Sequence, residues 1–388
     1  MRILIAGAGP AGLTLAYWLH KDGHTPVVIE KVPNIRTAGY MIDFAGSGWD
    51  VANRMGVIPH LEAVDHAVKE VVFKDSIGRT TAILPTTKLY NAWGFEKRYL
   101  GLDRRDLVET LYHTVESDVE FRFGATLTAV CQSAEAVTAT FADGKEESFD
   151  LLVGADGIHS SVRALVFGNE AEYADYLGYY VAAFYSPALF PALPSSYLMH
   201  VEPGMQVGVM PLSGQRWLSF LIYKSEDKGH IPSAERLKIL KEQARGVGWI
   251  TADLLNSLPA ETPIYMDTVT QIEMPSWSSN RVALIGDAAY CLTLISGQGT
   301  SMAMAGAYFL AEELRQNADP HVVFQRYEQR LRPYIEQKQK KARDFAPTFV
   351  PSSQRRIALT QWAIRLIDLP PVTRLVSKQM NLKSIIPA

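Results

Sequence analysis

The stretch ILIAGAGPAGLTLAYWL, residues 3–19, decides the fold of the N-terminal part of this 388-residue chain. The pattern of apolar residues predicts a buried strand over Arg2–Ala6, a helix over Leu13–Asp22 and a second strand over Pro26–Glu30. Such a βαβ unit lets the backbone of its glycine turn approach a pyrophosphate at the helix N-terminus. The sequence therefore predicts a dinucleotide-binding turn made of Gly7, Gly9, Pro10, Ala11 and Gly12.

The carboxylate of Glu30 ends the second predicted strand, where it can accept hydrogen bonds from both ribose hydroxyls of an adenosine. The same charge would repel a 2′-phosphate, which disfavours NADP at this position. Lys31 follows directly and belongs with Glu30 among the predicted cofactor-binding residues. The motif alone does not separate FAD from NAD.

The composition is that of an ordinary globular protein, with 47% hydrophobic and 20% charged residues, enough for a sizeable core. A formal net charge of −3 provides no electrostatic surface for nucleic acid or an anionic membrane, so neither partner is expected. The two cysteines, Cys131 and Cys291, exclude a disulfide framework and a cysteine-based zinc site. We therefore expect a cytoplasmic protein without a metal site and without stable membrane association.

A second motif, DLLVGADGIHSSVR over residues 150–163, ends another apolar strand on Asp156 and Gly157. An aspartate in front of a helix is also an ordinary N-cap, and that structural role remains an alternative. An acid–glycine pair followed by serine and arginine at this spacing is more specific than a cap requires.

A third motif, RVALIGDAAY over residues 281–290, places Asp287 after an apolar strand. The carboxyl ends of strands in a doubly wound sheet open into the crevice where such folds bind ligands. A glycine-rich run, SGQGTSMAMAG over residues 296–306, follows and begins a helix of mostly small residues. This helix can approach a flat ligand closely and direct free backbone N–H groups at it. A simple helix cap is the alternative for Asp287.

These three motifs, in this order and at these separations, resemble those of the single-component (group A, p-hydroxybenzoate hydroxylase-like) FAD-dependent monooxygenases. The similarity covers nearly the whole chain and looks closest to the short branch of tetracycline-inactivating and antibiotic-tailoring enzymes. The resemblance implies FAD as cofactor and NADPH or NADH as a transient co-substrate. It also implies insertion of one oxygen atom from O₂ into an aromatic or polyketide-like small molecule through a flavin hydroperoxide. A halogenase, reductase or oxidase on the same scaffold, and a non-enzymatic FAD-binding protein, remain alternatives.

The resemblance also implies roles for individual residues. Asp287 would hydrogen-bond the ribityl chain of FAD, and Arg104 would lie near the FAD phosphate and ribityl region, with Arg105 as a competitor. Asp156 and Gly157 would lie near both FAD and the reducing nicotinamide. The residues expected against the isoalloxazine ring are Gly297, Gln298, Gly299, Thr300 and Ser301.

Arg36 and the run GYMIDF, residues 39–44, match a segment that passes close to the flavin. Arg36 and Asp43 are therefore expected cofactor-binding residues, with a surface arginine and a turn as the alternative. The chain departs from the family at Tyr290, where histidine is usual, and at Leu294, where proline is usual. We expect a packing role for Tyr290. The departure at Leu294 puts the substrate geometry of the family in doubt.

Substrate contacts are expected on the inserted sheet and the flavin-facing loop, although each candidate has a plain core role as its alternative. None is assigned as an acid or a base. The candidates are Phe184, Tyr185, His200, Met210, Phe220, Tyr223 and Leu294.

The expected fold class is α/β, with a Rossmann-like FAD-binding domain built on a parallel sheet. An inserted, mostly antiparallel β-sheet domain would bind substrate, and helices would complete the C-terminus. Near residues 354–369, apolar positions at helical spacing predict a helix that either docks on the α/β domain or helps to close the substrate cavity. The predicted bounds are 1–70, 98–172 and 268–345 for the FAD-binding domain, 71–97 and 173–267 for the substrate domain, and 346–388 for the C-terminal helical segment.

Overall fold

The structure is a computed structural model that describes residues 1–35, 40–66, 68–92, 98–191, 195–212, 216–227, 229–366 and 384–387. The strands are β1 (Arg2–Ala6), β2 (Thr25–Glu30), β3 (Met41–Ala45), β4 (Glu70–Lys74), β5 (Thr80–Pro85), β6 (Tyr99–Asp103), β7 (Glu120–Phe123), β8 (Leu127–Gln132), β9 (Val137–Phe141), β10 (Glu146–Phe149), β11 (Leu151–Gly154), β12 (Ala174–Pro187), β13 (Ser196–Glu202), β14 (Met205–Leu212), β15 (Arg216–Lys224), β16 (Tyr265–Ile272), β17 (Ser278–Ser279) and β18 (Val282–Leu284). The helices are α1 (Pro10–Lys21), α2 (Ser47–Met55), α3 (Ile58–Glu62), α4 (Thr86–Ala92), α5 (Arg104–His113), α6 (Ser161–Val166), α7 (Arg236–Gln243), α8 (Thr251–Asn256), α9 (Asp287–Tyr290), α10 (Gly299–Gln316), α11 (Pro320–Phe349) and α12 (Gln354–Arg365). None of the described helices is long and apolar enough to cross a membrane.

A six-stranded sheet in the order β17–β18–β11–β1–β2–β7 forms the first layer and confirms the predicted Rossmann-like arrangement. β1 pairs in parallel with both β11 and β2, and β11 pairs in parallel with β18. The carboxyl ends of these strands therefore meet at one edge. The loops that begin at Gly7, Ala155 and Ile285 leave from that edge, so the topology brings all three sequence motifs together.

The small residues of α10 allow it to pack closely against its neighbours in this layer. A Cβ placed on Gly306 would lie 2.0 Å from the hydroxyl oxygen of Tyr290. That hydroxyl is 3.2 Å from the hydroxyl of Tyr327 on α11, and both rings are buried. Tyr290 is thus accommodated by a glycine on one helix and hydrogen-bonded by a tyrosine on another, which is a packing role.

A seven-stranded sheet in the order β16–β12–β15–β14–β13–β4–β5 forms the second layer and is antiparallel except where β13 pairs with β4. One face carries a core completed by residues of α7 and α8, such as Leu240 and Leu254. The other face is turned towards the carboxyl edge of the first sheet. The predicted boundary between residues 267 and 268 falls inside β16, and we keep the domain bounds as a proposal.

Candidate active site

A cavity of about 630 Å³ lies between the carboxyl edge of the six-stranded sheet and the inner face of the seven-stranded sheet. Gly9, Pro10 and Ala11 line it at one end. Met210 and Phe220 line it from the second sheet. A single cavity therefore joins the glycine turn to the inserted sheet.

The glycines of the turn serve two purposes: two of them allow the backbone to pack closely, and one leaves space for a ligand. Gly7 has a φ of +110°, and a Cβ there would lie 2.4 Å from the carbonyl oxygen of Ala155. A Cβ on Gly12 would lie 2.0 Å from the carbonyl oxygen of Gly7, so both positions need glycine for folding. Among the described residues, the atom that a Cβ on Gly9 would meet within 4 Å is Arg104 Nη2, at 3.7 Å. The absent side chain of Gly9 leaves room beside the helix N-terminus, where a pyrophosphate fits.

Glu30 is oriented by the same turn. Its Oε2 accepts a hydrogen bond from the backbone N–H of Ala8 at 3.1 Å, and its Oε1 accepts one from Val32 at 3.3 Å. The half-buried carboxylate is therefore held beside the glycine turn, where a ribose attached to the pyrophosphate would lie. Lys31 lies next to it with an exposed side chain. Arg36 lies outside the described residues.

Arg104 and Arg105 point to different surroundings. The guanidinium of Arg104 lines the cavity and lies 5.9 Å from the centre of the Tyr40 ring. The guanidinium of Arg105 lies 3.3 Å from Asp106 and 3.9 Å from Glu109 on its own helix. Of the two arginines that the sequence left open, Arg104 is the one in the cavity.

Asp287 is the first residue of α9, and the N-cap position before it is Gly286. Its carboxyl group faces the cavity, and its Oδ1 lies 3.8 Å from where a Cβ on Gly299 would be. Burial raises the pKa of Asp287, and the nearby charge of Arg104 opposes that rise. The carboxylate lies at the N-terminus of α10, where it can accept hydrogen bonds from a polyhydroxylated ligand.

Asp156 is engaged in capping. Its Oδ2 accepts hydrogen bonds from the backbone N–H groups of Ser161 at 2.7 Å and Val162 at 3.1 Å. Gly157 lines the cavity and has a φ of +82°. Ser160 is the N-cap residue of α6, and the Asp156 side chain adds to this cap. The residues of the motif that line the cavity are Ala155, Gly157 and Ile158.

Arg163 is a positioning residue that sequence reasoning did not assign. Its guanidinium is almost fully buried and donates from Nη1 to the carbonyl oxygen of Ala288 at 2.9 Å. Its Nη2 donates to Glu170 at 2.8 Å. The second motif is thereby tied to the residue that follows Asp287. The sequence shows Arg163 at a fixed distance after Asp156 in the motif. Its partner, Ala288, lies 125 residues further along the chain, so the local pattern could not identify this hydrogen bond.

The loop and first turn of α10 divide into two groups. Gly297, Gly299 and Thr300 line the cavity. The side chain of Gln298 accepts a hydrogen bond from Lys338 Nζ, and the Ser301 hydroxyl donates to the carbonyl of Ala45 at 3.1 Å. The first group is open to a flat ligand, and the second group fixes the position of the helix.

Asp43 lies on β3 in the cavity wall. Its Oδ1 accepts a hydrogen bond from the Tyr99 hydroxyl at 2.6 Å and is 3.5 Å from the Tyr90 hydroxyl. The two tyrosine rings stack with their centres 3.7 Å apart. A Cβ on Gly297 would lie 3.5 Å from Asp43 Oδ2, which places this group beside the α10 loop.

The expected substrate residues fall on both faces of the inserted sheet. Met210, Phe220 and Leu294 line the cavity. The other four candidates are not among its lining residues. Phe184 and Tyr223 pack in the core on the opposite face of the sheet, and His200 contacts the carbonyl of Lys74 and the carboxylate of Glu202. Tyr185 follows Phe184 on β12 and therefore points to the other face, where its hydroxyl donates to Asp103 instead of lining the cavity.

Sequence reasoning also missed residues on the cavity face. Tyr197, Met199 and Val201 alternate along β13 with residues of the opposite face, and all three line the cavity. A Cβ on Gly208 would lie 1.9 Å from the Tyr197 hydroxyl oxygen, so the glycine makes room for it. The sequence shows the alternation of side chains along β13. It does not show which face of the sheet is covered by helices and which face lines the cavity.

The predicted tail helix is α12, and it lies over the cavity. The positions at helical spacing that predicted this helix are Ile357, Thr360, Ala363 or Ile364, and Ile367. All but Ile367 line the cavity, and Ile367 lies outside the described residues. Arg365 donates to the carbonyl oxygen of Thr81 at 2.6 Å, which fastens the end of the helix to β5.

Comparison with known proteins identifies the family to which the chain belongs. Residues 1–342 match the protein family described as "FAD binding domain". The chain is 32% identical over 375 residues to an uncharacterized protein of Mycobacterium tuberculosis, Rv1260, covering 94% of this chain and 99% of the relative. It is 32% identical over 349 residues to a protein of Legionella longbeachae named flavin-dependent monooxygenase, covering 88% and 87%.

Solved structures agree with these relatives in fold. The crystal structure of tetracycline destructase Tet(51) superposes with a TM-score of 0.83 at 26% identity, covering 100% of this chain and 99% of that one. Klebsiella pneumoniae HpxO complexed with FAD and uric acid superposes with a TM-score of 0.81 at 23% identity, covering 99% and 97%. The likeness to HpxO is one of fold.

Proposed function

The chain belongs to the FAD-binding family of single-component flavin-dependent monooxygenases, and on this premise we propose a specific reaction for it. The protein inserts one oxygen atom from O₂ into an aromatic or polyketide-like small molecule, with NADPH or NADH as a transient reductant. The observation that carries the proposal is the continuity of the cavity from Gly9 to Met210 and Phe220. A cofactor held by the glycine turn and a substrate on the inserted sheet would share one enclosed space.

The residues at the first sheet fit FAD. The open position at Gly9 and the start of α1 would receive the pyrophosphate, and Glu30 would bind the adenosine ribose. Asp287 and Arg104 would hold the ribityl and phosphate region. Bound FAD would accept a hydride from the nicotinamide and activate O₂ for transfer to the substrate.

The N-terminus of α10 suits the flavin ring. This helix has 18 residues and begins at Gly299, so its unpaired N–H groups and positive end face the cavity. That end would stabilise negative charge on a reduced ring lying against Gly297 and Thr300. The side chains of Gln298 and Ser301 would contribute by fixing the helix.

The inserted sheet and the tail would exclude water from the reaction. Met210, Phe220 and Leu294 provide an apolar wall, and Ile357 and Ile364 of α12 cover it. An enclosed apolar site keeps activated oxygen from being lost to solvent before it reaches the substrate. The name of the Tet(51) neighbour supports a polycyclic substrate class for a cavity of this kind.

A cytoplasmic location is part of the same proposal. It is supported by the unpaired state of Cys131, which is exposed, and of Cys291, which is buried.

The test is a search for a compound that accelerates NAD(P)H oxidation by the purified, FAD-loaded protein. The proposal expects a yellow protein with about one FAD per chain, as the single glycine-turn site implies. With ¹⁸O₂, a product should carry one labelled oxygen atom. A protein that cannot be loaded with FAD, a halogenated product, or hydrogen peroxide as the sole product with every compound would contradict it.

A further inference from the structure

Two polar side chains lie in the apolar wall that the inserted sheet presents to the cavity. The residues of β13, β14 and β15 that line the cavity are Tyr197, Met199, Val201, Gln206, Met210, Leu218 and Phe220. Within the described part of these three strands, Tyr197 and Gln206 are the lining residues that carry a hydroxyl or an amide. A polar pair in an apolar wall is costly unless a partner uses its hydrogen-bonding groups.

The two strands hold the phenol of Tyr197 in one place. Tyr197 lies on β13 two residues before Met199, which is paired with Gly208 of β14. A Cβ on Gly208 would lie 1.9 Å from the Tyr197 hydroxyl oxygen, so the phenol lies across this glycine. Gln206 precedes Gly208 by two residues and is almost fully buried, and its side chain is hydrogen-bonded to the Tyr197 hydroxyl. The glycine and the glutamine therefore fix the hydroxyl at the cavity wall.

The Tyr197 hydroxyl is a neutral hydrogen-bond donor. Burial raises the pKa of Tyr197, and the hydrogen bond with Gln206 only partly opposes that rise, so the phenol keeps its proton. An amide that lowers the pKa of a phenol does so by donating to the phenol oxygen. In the described part of the chain, Gln206 is the hydrogen-bond partner of this hydroxyl, which leaves the O–H proton for a ligand.

The hydroxyl also lies towards the flavin end of the substrate wall. The negative charge of Asp43 acts on Tyr197 and adds to the rise of its pKa. Asp43 itself lies on the cofactor side, beside Gly297 of the α10 loop. A substrate atom bound by Tyr197 would therefore lie close to the ring of the cofactor.

We infer that Tyr197, oriented by Gln206, is a specificity-determining residue that donates a hydrogen bond to a carbonyl oxygen of the substrate. The inference rests on the proposed function and narrows its substrate class to ring compounds that carry a ketone or quinone oxygen. The apolar neighbours of the pair, such as Met199 and Phe220, would contact the ring system. A hydrocarbon in this position would leave the hydroxyl buried without an acceptor, which disfavours it.

The experiment compares two ligands that differ in one group. 1-Tetralone carries a ketone oxygen, and 1-methylidenetetralin carries a CH₂ group in its place. Each is titrated by calorimetry into the FAD-loaded, full-length protein and into Tyr197→Phe. The affinity of the ketone relative to the methylidene compound should be about fivefold to tenfold lower in Tyr197→Phe than in the wild-type protein, as for the loss of one buried hydrogen bond. Comparing the two ratios cancels the different costs of removing the two ligands from water.

Infrared spectroscopy adds a signature that a packing role would not change. A hydrogen bond from the hydroxyl lowers the C=O stretching frequency, so the band of bound ¹³C-labelled 1-tetralone should lie at lower frequency in the wild-type protein than in Tyr197→Phe. Gly208→Ala displaces the hydroxyl, and Gln206→Leu removes its partner, so both should move the band towards its position in Tyr197→Phe. Tyr223→Phe, in the core on the opposite face of the sheet, is the matched control and should keep the wild-type ratio and band.

The same affinity ratio or the same carbonyl band in the wild-type protein and Tyr197→Phe would overturn the inference, as would failure of 1-tetralone to bind at its solubility limit. If Tyr197→Phe does not fold, Gly208→Ala and Gln206→Leu decide the question by the same two measurements. The proposed function fails separately, through a protein that takes up no FAD or that no compound stimulates to oxidise NAD(P)H. If turnover occurs without the carbonyl shift, only the inference is wrong.

Discussion

Arg163 Nη1 donates a hydrogen bond to the carbonyl oxygen of Ala288 at 2.9 Å, which ties the helix after the second motif to the helix that carries Asp287. Nη2 of the same guanidinium bonds Glu170, and a lysine has its donors on one nitrogen, so it cannot reproduce the separate positions of Nη1 and Nη2. Arg163→Lys should therefore lower the free energy of unfolding by about 1–3 kcal/mol and weaken FAD binding. Chemical denaturation and FAD titration check this. Unchanged FAD affinity in a destabilised variant would limit Arg163 to stability.

Gly9→Ala should weaken FAD binding by about tenfold or more without loss of the fold, because its methyl group enters the pyrophosphate position. The protein itself tolerates the methyl group, since its nearest neighbour is Arg104 Nη2 at 3.7 Å. Gly229→Ala, at an open position away from the cavity, is the matched control. FAD affinity is measured by fluorescence quenching. Wild-type affinity in Gly9→Ala would place the pyrophosphate elsewhere.

Asp287→Ala and Asp156→Ala should have opposite consequences. Asp287→Ala removes a charge-assisted hydrogen bond to FAD worth about 1.5–3 kcal/mol, a loss of roughly tenfold or more in affinity. The FAD-free variant should be at least as stable as wild type, because burial raises the pKa of Asp287 and makes its charge costly. Asp156→Ala removes the acceptor for the first two N–H groups of α6, although the N-cap Ser160 remains, and should cost about 1 kcal/mol of stability. Equal FAD affinity of Asp287→Ala and wild type would reduce Asp287 to a structural role.

His159 should make stability depend on pH in a defined range. Hydrogen bonds to Asp267 and then Glu170 raise the pKa of His159 from 6.5 to about 10, although the side chain is half exposed. Since the folded pKa is raised, the stabilisation is complete below pH 6.5, declines above it and is lost as the pH passes 10. His159→Gln should therefore lower the Tm more at pH 6 than near pH 10. A Tm difference for His159→Gln that is the same at both pH values would contradict the assignment of the charge.

The tail helix should limit loss of activated oxygen to solvent. Ile364→Ser opens the inner side of α12 to water and should raise the hydrogen peroxide released per NAD(P)H consumed, while FAD remains bound. Leu359→Ser changes the outer side, where the side chain is 65% exposed, and should keep wild-type coupling. Deletion of the residues after Pro347 should have a larger effect than Ile364→Ser. Full coupling in the truncated, folded protein would show that the tail does not close the cavity.

Much of the nucleotide-binding part could be predicted because its determinants are local. A Cβ on Gly7 or Gly12 would lie 2.4 Å or 2.0 Å from a backbone oxygen, so both positions require glycine. The spacing of the glycines therefore predicts the turn directly. The predicted strand Arg2–Ala6 has the observed bounds, and the predicted helix begins three residues late because Pro10 is its first residue. Proline at the start of a helix is favourable, whereas the pattern of apolar residues alone begins at Leu13.

The inserted sheet shows where sequence reasoning fails. Strand alternation separates Phe220 from Tyr223, and Met210 from His200, but it does not indicate which set faces a ligand. That depends on α7 and α8 covering one face and α12 closing the other.

The sequence by itself therefore determined the glycine turn, the parallel sheet and the order of the three motifs, because short-range patterns encode them. The tertiary structure alone decided that Arg104 rather than Arg105 enters the cavity, that Arg163 meets Ala288 across 125 residues of chain, and that Tyr99 meets Asp43 across 56. These outcomes depend on packing between elements that are distant in sequence.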